Sequence, residues 1–135
     1  MKHWLWMAMA AATAACAADP AGPKWELAWA DEFDRDGAPD PGRWTCEYGH
    51  VRNHEKQFYT RGRAENARVE KGNLILEARK DGWDGHEVTS ASLTTQDRVH
   101  FLRGRVEVRA KLPSGRGTWP AIWMLGIDIR SKGWP

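Results

Sequence analysis

Bond cleavage by protein side chains most often shows itself as two carboxylates close enough to act together, one as nucleophile or base and one as acid. Glu32, Asp34 and Asp36 alternate through "EFDRD", so in an extended segment the three could share one face. That segment runs straight into "GAPDPG", which makes solvated turn acids the better reading. Asp128 sits between two isoleucines in "GIDIRS" and looks like part of a catalytic motif. Asp128 alone cannot be both nucleophile and acid. Glu47, His50, His54 and Glu55 cluster in sequence, but no spacing among them matches a metal set, and a mixed polar loop is expected. Gly115 and Gly117 in "PSGRGT" make a turn rather than a phosphate cradle, because no helix follows. Ser, His and Asp all occur, yet no nucleophile-elbow motif supports a triad. No residue is assigned a catalytic role.

Tryptophan is the outlier. The 135 residues hold nine, and Trp25, Trp29, Trp44, Trp83, Trp119, Trp123 and Trp134 all follow the N-terminal apolar stretch. Indoles usually fill cores, but a flat indole also stacks on the C–H face of a sugar ring. The formal charge is only +2, with both signs interspersed, so there is no footprint for nucleic acid. An aromatic excess in a weakly charged chain points to carbohydrate.

The elements that must position these residues read as β. "GRVEVRAKLP" (residues 104–113) alternates strictly, with Val106, Val108, Ala110 and Leu112 on one face and charged residues on the other. "NLILEAR" follows the turn signal "EKGN", and "ARVE" before it completes a hairpin. "KWELAWADEF" places Trp25, Leu27 and Trp29 on one face, and "VTSASLTT" reads as a further strand. Pro120 in "TWPAIWML" cannot donate to a ladder and predicts an edge or bulge. No segment from Trp25 onward carries a helical stripe. Short strands with Gly/Pro/Asp turns predict an all-β sandwich.

The first stretch is of another kind. Lys2, the apolar run Leu5 to Ala15 and the small residues after it have the layout of a secretory signal over residues 1–18, too short to span a membrane. Two readings stay open: cleavage after Ala15-Cys16-Ala17, or a lipid anchor at Cys16 in "TAAC". Either implies a secreted, periplasmic or cell-surface protein. Loss of residues 1–18 lowers the charge to +1 and leaves Cys46 as the one remaining cysteine, too few for a disulfide framework.

Three segments taken in order, "LAWADEFD", "NHEKQFYTRGRAENARVEKGNLILEARK" and "TSASLTT…RGRVEVRAKLPSGRGTWPAIWMLG", resemble the N-terminal half of family 16 glycoside hydrolases, the laminarinase-like β-glucanases. The resemblance covers residues 23–135 as one domain portion. It implies a concanavalin-A-like jelly-roll β-sandwich whose concave face takes a β-glucan chain, and retaining hydrolysis by two carboxylates about 5–5.5 Å apart. In the family both carboxylates lie on a strand written Glu-x-Asp-x-x-Glu, directly after a "GWP" like residues 133–135. That strand is not within this sequence, so the sandwich is expected to be incomplete, its C-terminal half absent, and the chain inactive as it stands. In the family's order "GIDIRS" is a loop upstream of "GWP".

The resemblance further implies that Trp119 and Trp123 line the cleft and that Asn53 and Arg68 hydrogen-bond sugar hydroxyls. For Arg68 a strand-surface salt bridge is the competing reading. The family's Asn-Asn-Glu appears here as Asn53-His54-Glu55. A structural calcium is implied, with Glu32 and the Gly72 carbonyl at matching places, and no cofactor is required for the chemistry. Two other readings stand beside the glucanase: a non-catalytic β-glucan-binding module, and a degenerate product. A sandwich lacking part of its cover leaves open apolar edges, which predicts poor solubility.

Overall fold

A computed structural model describes residues 24–134. The leader expected at residues 1–18, Cys16 and the domain boundary expected at residue 23 lie outside the described residues. The chain divides into two compact units, Met1–Asp31 and Glu32–Pro135. In the first unit the described residues form no strand, and Trp25 and Leu27 are 57% and 84% exposed. Of the alternating Trp25, Leu27 and Trp29, only Trp29 is half-buried.

The second unit is built from short strands: β1 (Thr45–Cys46), β2 (Phe58–Tyr59), β3 (Ala67–Glu70), β4 (Asn73–Leu76), β5 (Thr89–Ser90) and β6 (Leu93–Thr94). A 3-10 turn covers Trp83–Gly85 and a single helical turn, α1, covers Ile129–Lys132. The strands β3 and β4 form the expected hairpin, with Ala67 opposite Leu76 and Glu70 opposite Asn73. Its two turn residues, Lys71 and Gly72, both have positive φ (52° and 72°), as a type I′ turn demands. Glycine takes that geometry freely. Lys71 is held there by its amide, which donates to Asp36 Oδ1 at 2.8 Å, and by its carbonyl, which accepts from Asn73 Nδ2 at 2.8 Å.

β1 pairs with β6 antiparallel, and β2 pairs with β5 in parallel. Isolated bridges tie Gly37 to Val69, Gly49 to Tyr59 and Arg79 to Thr89. The apolar core is small, with Phe58, Ala67 and Val69 buried. Beside it lies a buried polar node. Asn66 is 0% exposed and fully satisfied: its Oδ1 accepts from Thr60 Oγ1 (2.9 Å) and Arg63 Nη1 (2.8 Å), and its Nδ2 donates to the Glu77 carbonyl (3.0 Å) and Thr89 Oγ1 (3.1 Å). One amide thus links the segment after β2, the hairpin and β5, which suits the low tolerance of interiors for unpaired polar groups.

The clearest strand pattern in the sequence does not become a strand. Residues 104–113 carry no ladder, and Val106, Val108 and Leu112 are 53%, 57% and 58% exposed. Period two decides which face a strand would bury, but a strand exists only where another backbone takes its N–H and C=O groups. No described residue does so here. The same holds for "TWPAIWML", where Trp119, Ile122 and Met124 are 92%, 61% and 69% exposed. Among the described residues no helix is long and apolar enough to cross a membrane.

Candidate functional site

The site forms on the loop between Gly49 and Tyr59. These two residues exchange backbone bonds of 3.0 Å in both directions, which closes the loop at its base. At its tip Asn53 and His54 both have positive φ (55° and 52°), and the Glu55 amide donates to the Arg52 carbonyl at 3.1 Å. A type I′ turn needs that pair of dihedrals, and Asn and His tolerate it better than most side chains. Asn53 is thereby presented to solvent.

Arg52 opens this turn and points back across the loop. Its guanidinium pairs with Glu47 Oε2, which also accepts from Ser92 Oγ at 2.5 Å. The Glu47 backbone is fixed as well, its amide donating to the Ser92 carbonyl at 3.0 Å. Burial works against the charge of Arg52, but the bond to Glu47 and the nearby carboxylates outweigh it and hold its pKa above the usual arginine value. The guanidinium carbon lies 5.8 Å from the Tyr59 ring centroid and 5.6 Å from that of Trp123. Trp123 in turn stacks on Trp134, with centroids 5.7 Å apart and planes 5° from parallel.

Tyr59 carries the polar end of the group. Its hydroxyl accepts from Gln57 Nε2 at 2.9 Å and donates to Glu55 Oε2 at 3.2 Å. Burial first, and Glu55 beside it, push the phenol above its ordinary value, so it stays protonated at neutral pH. The result is a half-exposed aromatic surface ringed by a guanidinium, a phenol, an amide and carboxylates. Such a surface can stack on a sugar ring and pair with its hydroxyls.

The sequence candidates fall in different places. Trp123 joins the stack, and Asn53 stands one residue from Arg52. Trp119 stands almost wholly in solvent. Arg68, on β3, pairs with Glu77 at 3.0 Å and Glu70 at 3.4 Å, and also bonds the Ala64 and Glu65 carbonyls; none of the stack residues is among its partners. The bond to Glu77 is the main reason its pKa is raised. Sequence reading missed Arg52 and Ser92, counted Tyr59 and Trp134 only within the aromatic excess, and took Glu47 and Glu55 only as loop polars. The available signal was local: Arg52 directly precedes the matched Asn53.

Two of the carboxylate candidates are taken up by neighbours. Asp128 Oδ2 pairs with Lys132 Nζ at 2.5 Å across the α1 turn, and Asp36 is taken up by the Lys71 amide. Glu32 is exposed and Gly72 lies at the hairpin apex. These two offer at most three oxygens where calcium takes roughly six to eight, so they do not by themselves make a calcium site. Among the described residues no three His, Cys, Asp or Glu side chains converge for a metal. A separate polar hollow of about 290 Å³ is lined by Thr45, Thr94, Gln96, Asp97, Arg98 and Arg130, and holds none of the sequence candidates.

Comparison with known proteins converges on one family. The chain is 56% identical over 105 residues to a β-glucanase of Rhodothermus marinus, covering 76% of this chain and 37% of that one. It is 52% identical over 48 residues to a β-1,3-glucan-binding protein of Penaeus monodon, covering 36% of this chain and 13% of that one. Among solved structures, the laminarinase from Rhodothermus marinus superposes with a TM-score of 0.53 at 51% identity, over 56% of this chain and 31% of that one. A variant of SCLam, a non-specific endo-β-1,3(4)-glucanase with 1,3-β-D-cellobiosyl-glucose at its active site, superposes with a TM-score of 0.52 at 40% identity, over 55% of this chain and 34% of that one. The chain thus spans about a third of the length of these glucanases, and its strands form an all-β, partial jelly-roll sandwich. The family model for glycosyl hydrolases family 16 matches residues 54–133, more than half of the sequence, and the chain belongs to that family.

Proposed function

We propose that this chain supplies substrate-binding surface to a secreted, retaining endo-β-glucanase acting on β-1,3- or mixed-linkage glucan, and that residues 1–135 alone bind the glucan without cleaving it. The observation that carries the reading is the aromatic and polar surface of Arg52, Tyr59, Trp123 and Trp134 beside the exposed Asn53. Family membership and the glucan named for the relatives support it. Retaining hydrolysis needs two carboxylates about 5–5.5 Å apart, and no Glu-x-Asp-x-x-Glu occurs in residues 1–135. Export through the leader at residues 1–18, with or without a lipid on Cys16, completes the proposal. So does a structural calcium using Glu32 and the Gly72 carbonyl as two of its oxygens.

The test is to incubate the chain with insoluble β-1,3-glucan and with lichenan, and to assay both retention and new reducing ends. Retention with no reducing sugar above the blank is the expected result; sustained release would sink the inactive reading. A non-catalytic β-glucan-binding module is the second reading, favoured by the match to the Penaeus monodon protein. It parts from the first if a longer form of the chain that carries a Glu-x-Asp-x-x-Glu strand also retains glucan and releases no sugar.

A further inference from the structure

Trp123 and Trp119 lie on the same unpaired stretch, where the backbone makes no ladder to any described strand. An indole on such a segment can be fixed only through its side chain. Among the described residues Trp119 has no such support and is 92% exposed, whereas Trp123 is 47% exposed and touches both Arg52 and Trp134. We infer that Arg52, clamped by Glu47, is the positioning residue for Trp123, and sets the angle at which that indole meets a glucose ring. This rests on the β-glucan reading above.

The chain of contacts runs from β6 to the exposed indole of Trp123. Ser92, next to β6, holds Glu47 through both its hydroxyl and its carbonyl. Glu47 holds the Arg52 guanidinium, which spans the Tyr59 and Trp123 rings. Tyr59 is itself anchored in β2 and by Gln57 and Glu55. A guanidinium suits this place because it is planar, weakly hydrated and permanently charged, so it can lie on a ring while keeping an ion pair in its plane. Lysine offers the charge without the plane, and methionine offers similar bulk without either. Holding the indole in advance removes the ordering cost of one side chain from the binding step, which corresponds to about a two- to tenfold effect on Kd.

The experiment uses laminarihexaose as the β-1,3-glucan probe, titrated against the wild-type chain and the variants Arg52→Met, Arg52→Lys and Glu47→Gln. In parallel, the Trp123 indole N–H resonance, assigned by its loss in Trp123→Phe, is followed without ligand. Arg52→Met should raise Kd about two- to tenfold and shift or broaden that resonance, leaving the Trp119 resonance in place. Arg52→Lys should fall between wild type and Arg52→Met, and Glu47→Gln should loosen Trp123 in the same direction. Unchanged affinity with an unmoved Trp123 resonance in Arg52→Met would overturn the inference. A wild-type chain that does not bind laminarihexaose would defeat the glucan reading instead, while the ligand-free resonance still decides whether Arg52 holds Trp123.

Discussion

Replacing Asn66 with alanine should destabilise the second unit by about 2–4 kcal/mol. The wild-type amide makes four hydrogen bonds of 2.8–3.1 Å at a position with no solvent exposure. Each such bond contributes on the order of 1 kcal/mol net, more where a partner is charged, as Arg63 is. Some of the loss is recovered in the variant. Arg63 keeps its bonds to Asp81 (2.7 Å) and Thr89 (3.1 Å), and Thr60 keeps a weak one to the Ser90 carbonyl (3.4 Å). The Glu77 carbonyl loses its Asn66 side-chain donor inside the fold. Hydrogen exchange reads the effect locally at low protein concentration. The Glu77 amide, donating to the Asn66 carbonyl at 2.8 Å, and the Thr60 amide, donating to Ser90 at 3.0 Å, should exchange roughly 30- to 1,000-fold faster. Thr118→Ala, which removes an exposed loop bond to the Gly115 carbonyl at 2.9 Å, is the control and should stay within about 0.5 kcal/mol. Acceleration of less than about fivefold in Asn66→Ala would mean that the node contributes little, and the reasoning fails.

Other consequences follow from exposure and charge. Lysine at Val108 and Leu112, both more than half exposed, should reduce aggregation in light scattering and cost under about 1 kcal/mol; loss of exchange protection in the hairpin would argue against this. Trp119→Ala should leave stability within about 0.5 kcal/mol yet weaken laminarihexaose binding by about fivefold, and unchanged binding would remove Trp119 from the glucan surface. Acid should loosen the unit through Glu77 and Asp81, which are held below their ordinary values of 4.5 and 3.8, Glu77 chiefly by Arg68 and Asp81 chiefly by Arg63. Because the folded-state values are depressed, the stabilisation is complete above about pH 5 and is lost as pH falls through those lowered values. Near-ultraviolet circular dichroism should be flat from about pH 7 to 5 and decline below about pH 4; a main transition between about pH 6 and 7 would contradict it.

What the sequence made legible was local. The turn "EKGN" between "ARVE" and "NLIL" announced a hairpin because its chemistry is contained in a few neighbouring residues, and β3 and β4 form there. The period-two run at residues 104–113 announced a strand that the described residues do not supply with a partner, since pairing is a non-local property. Part of "VTSASLTT" pairs as read, but as two separate strands, β5 and β6, that go to different partners. The site was half visible. Trp123 and Asn53 came from motif resemblance, while the clamp around them joins Glu47, Arg52, Tyr59, Ser92 and Trp123, residues scattered along the chain that no spacing rule connects. Asn66 carries no such signal, because its partners Thr60, Arg63, Glu77 and Thr89 come together only in the fold.

Mapping laminarihexaose onto the chain by backbone and indole resonance shifts tests the central claim most directly. The largest changes should fall on Arg52, Asn53, Tyr59, Trp119, Trp123 and Trp134. Shifts centred instead on the hollow between Thr45 and Arg130, or no shifts at saturating sugar, would contradict it.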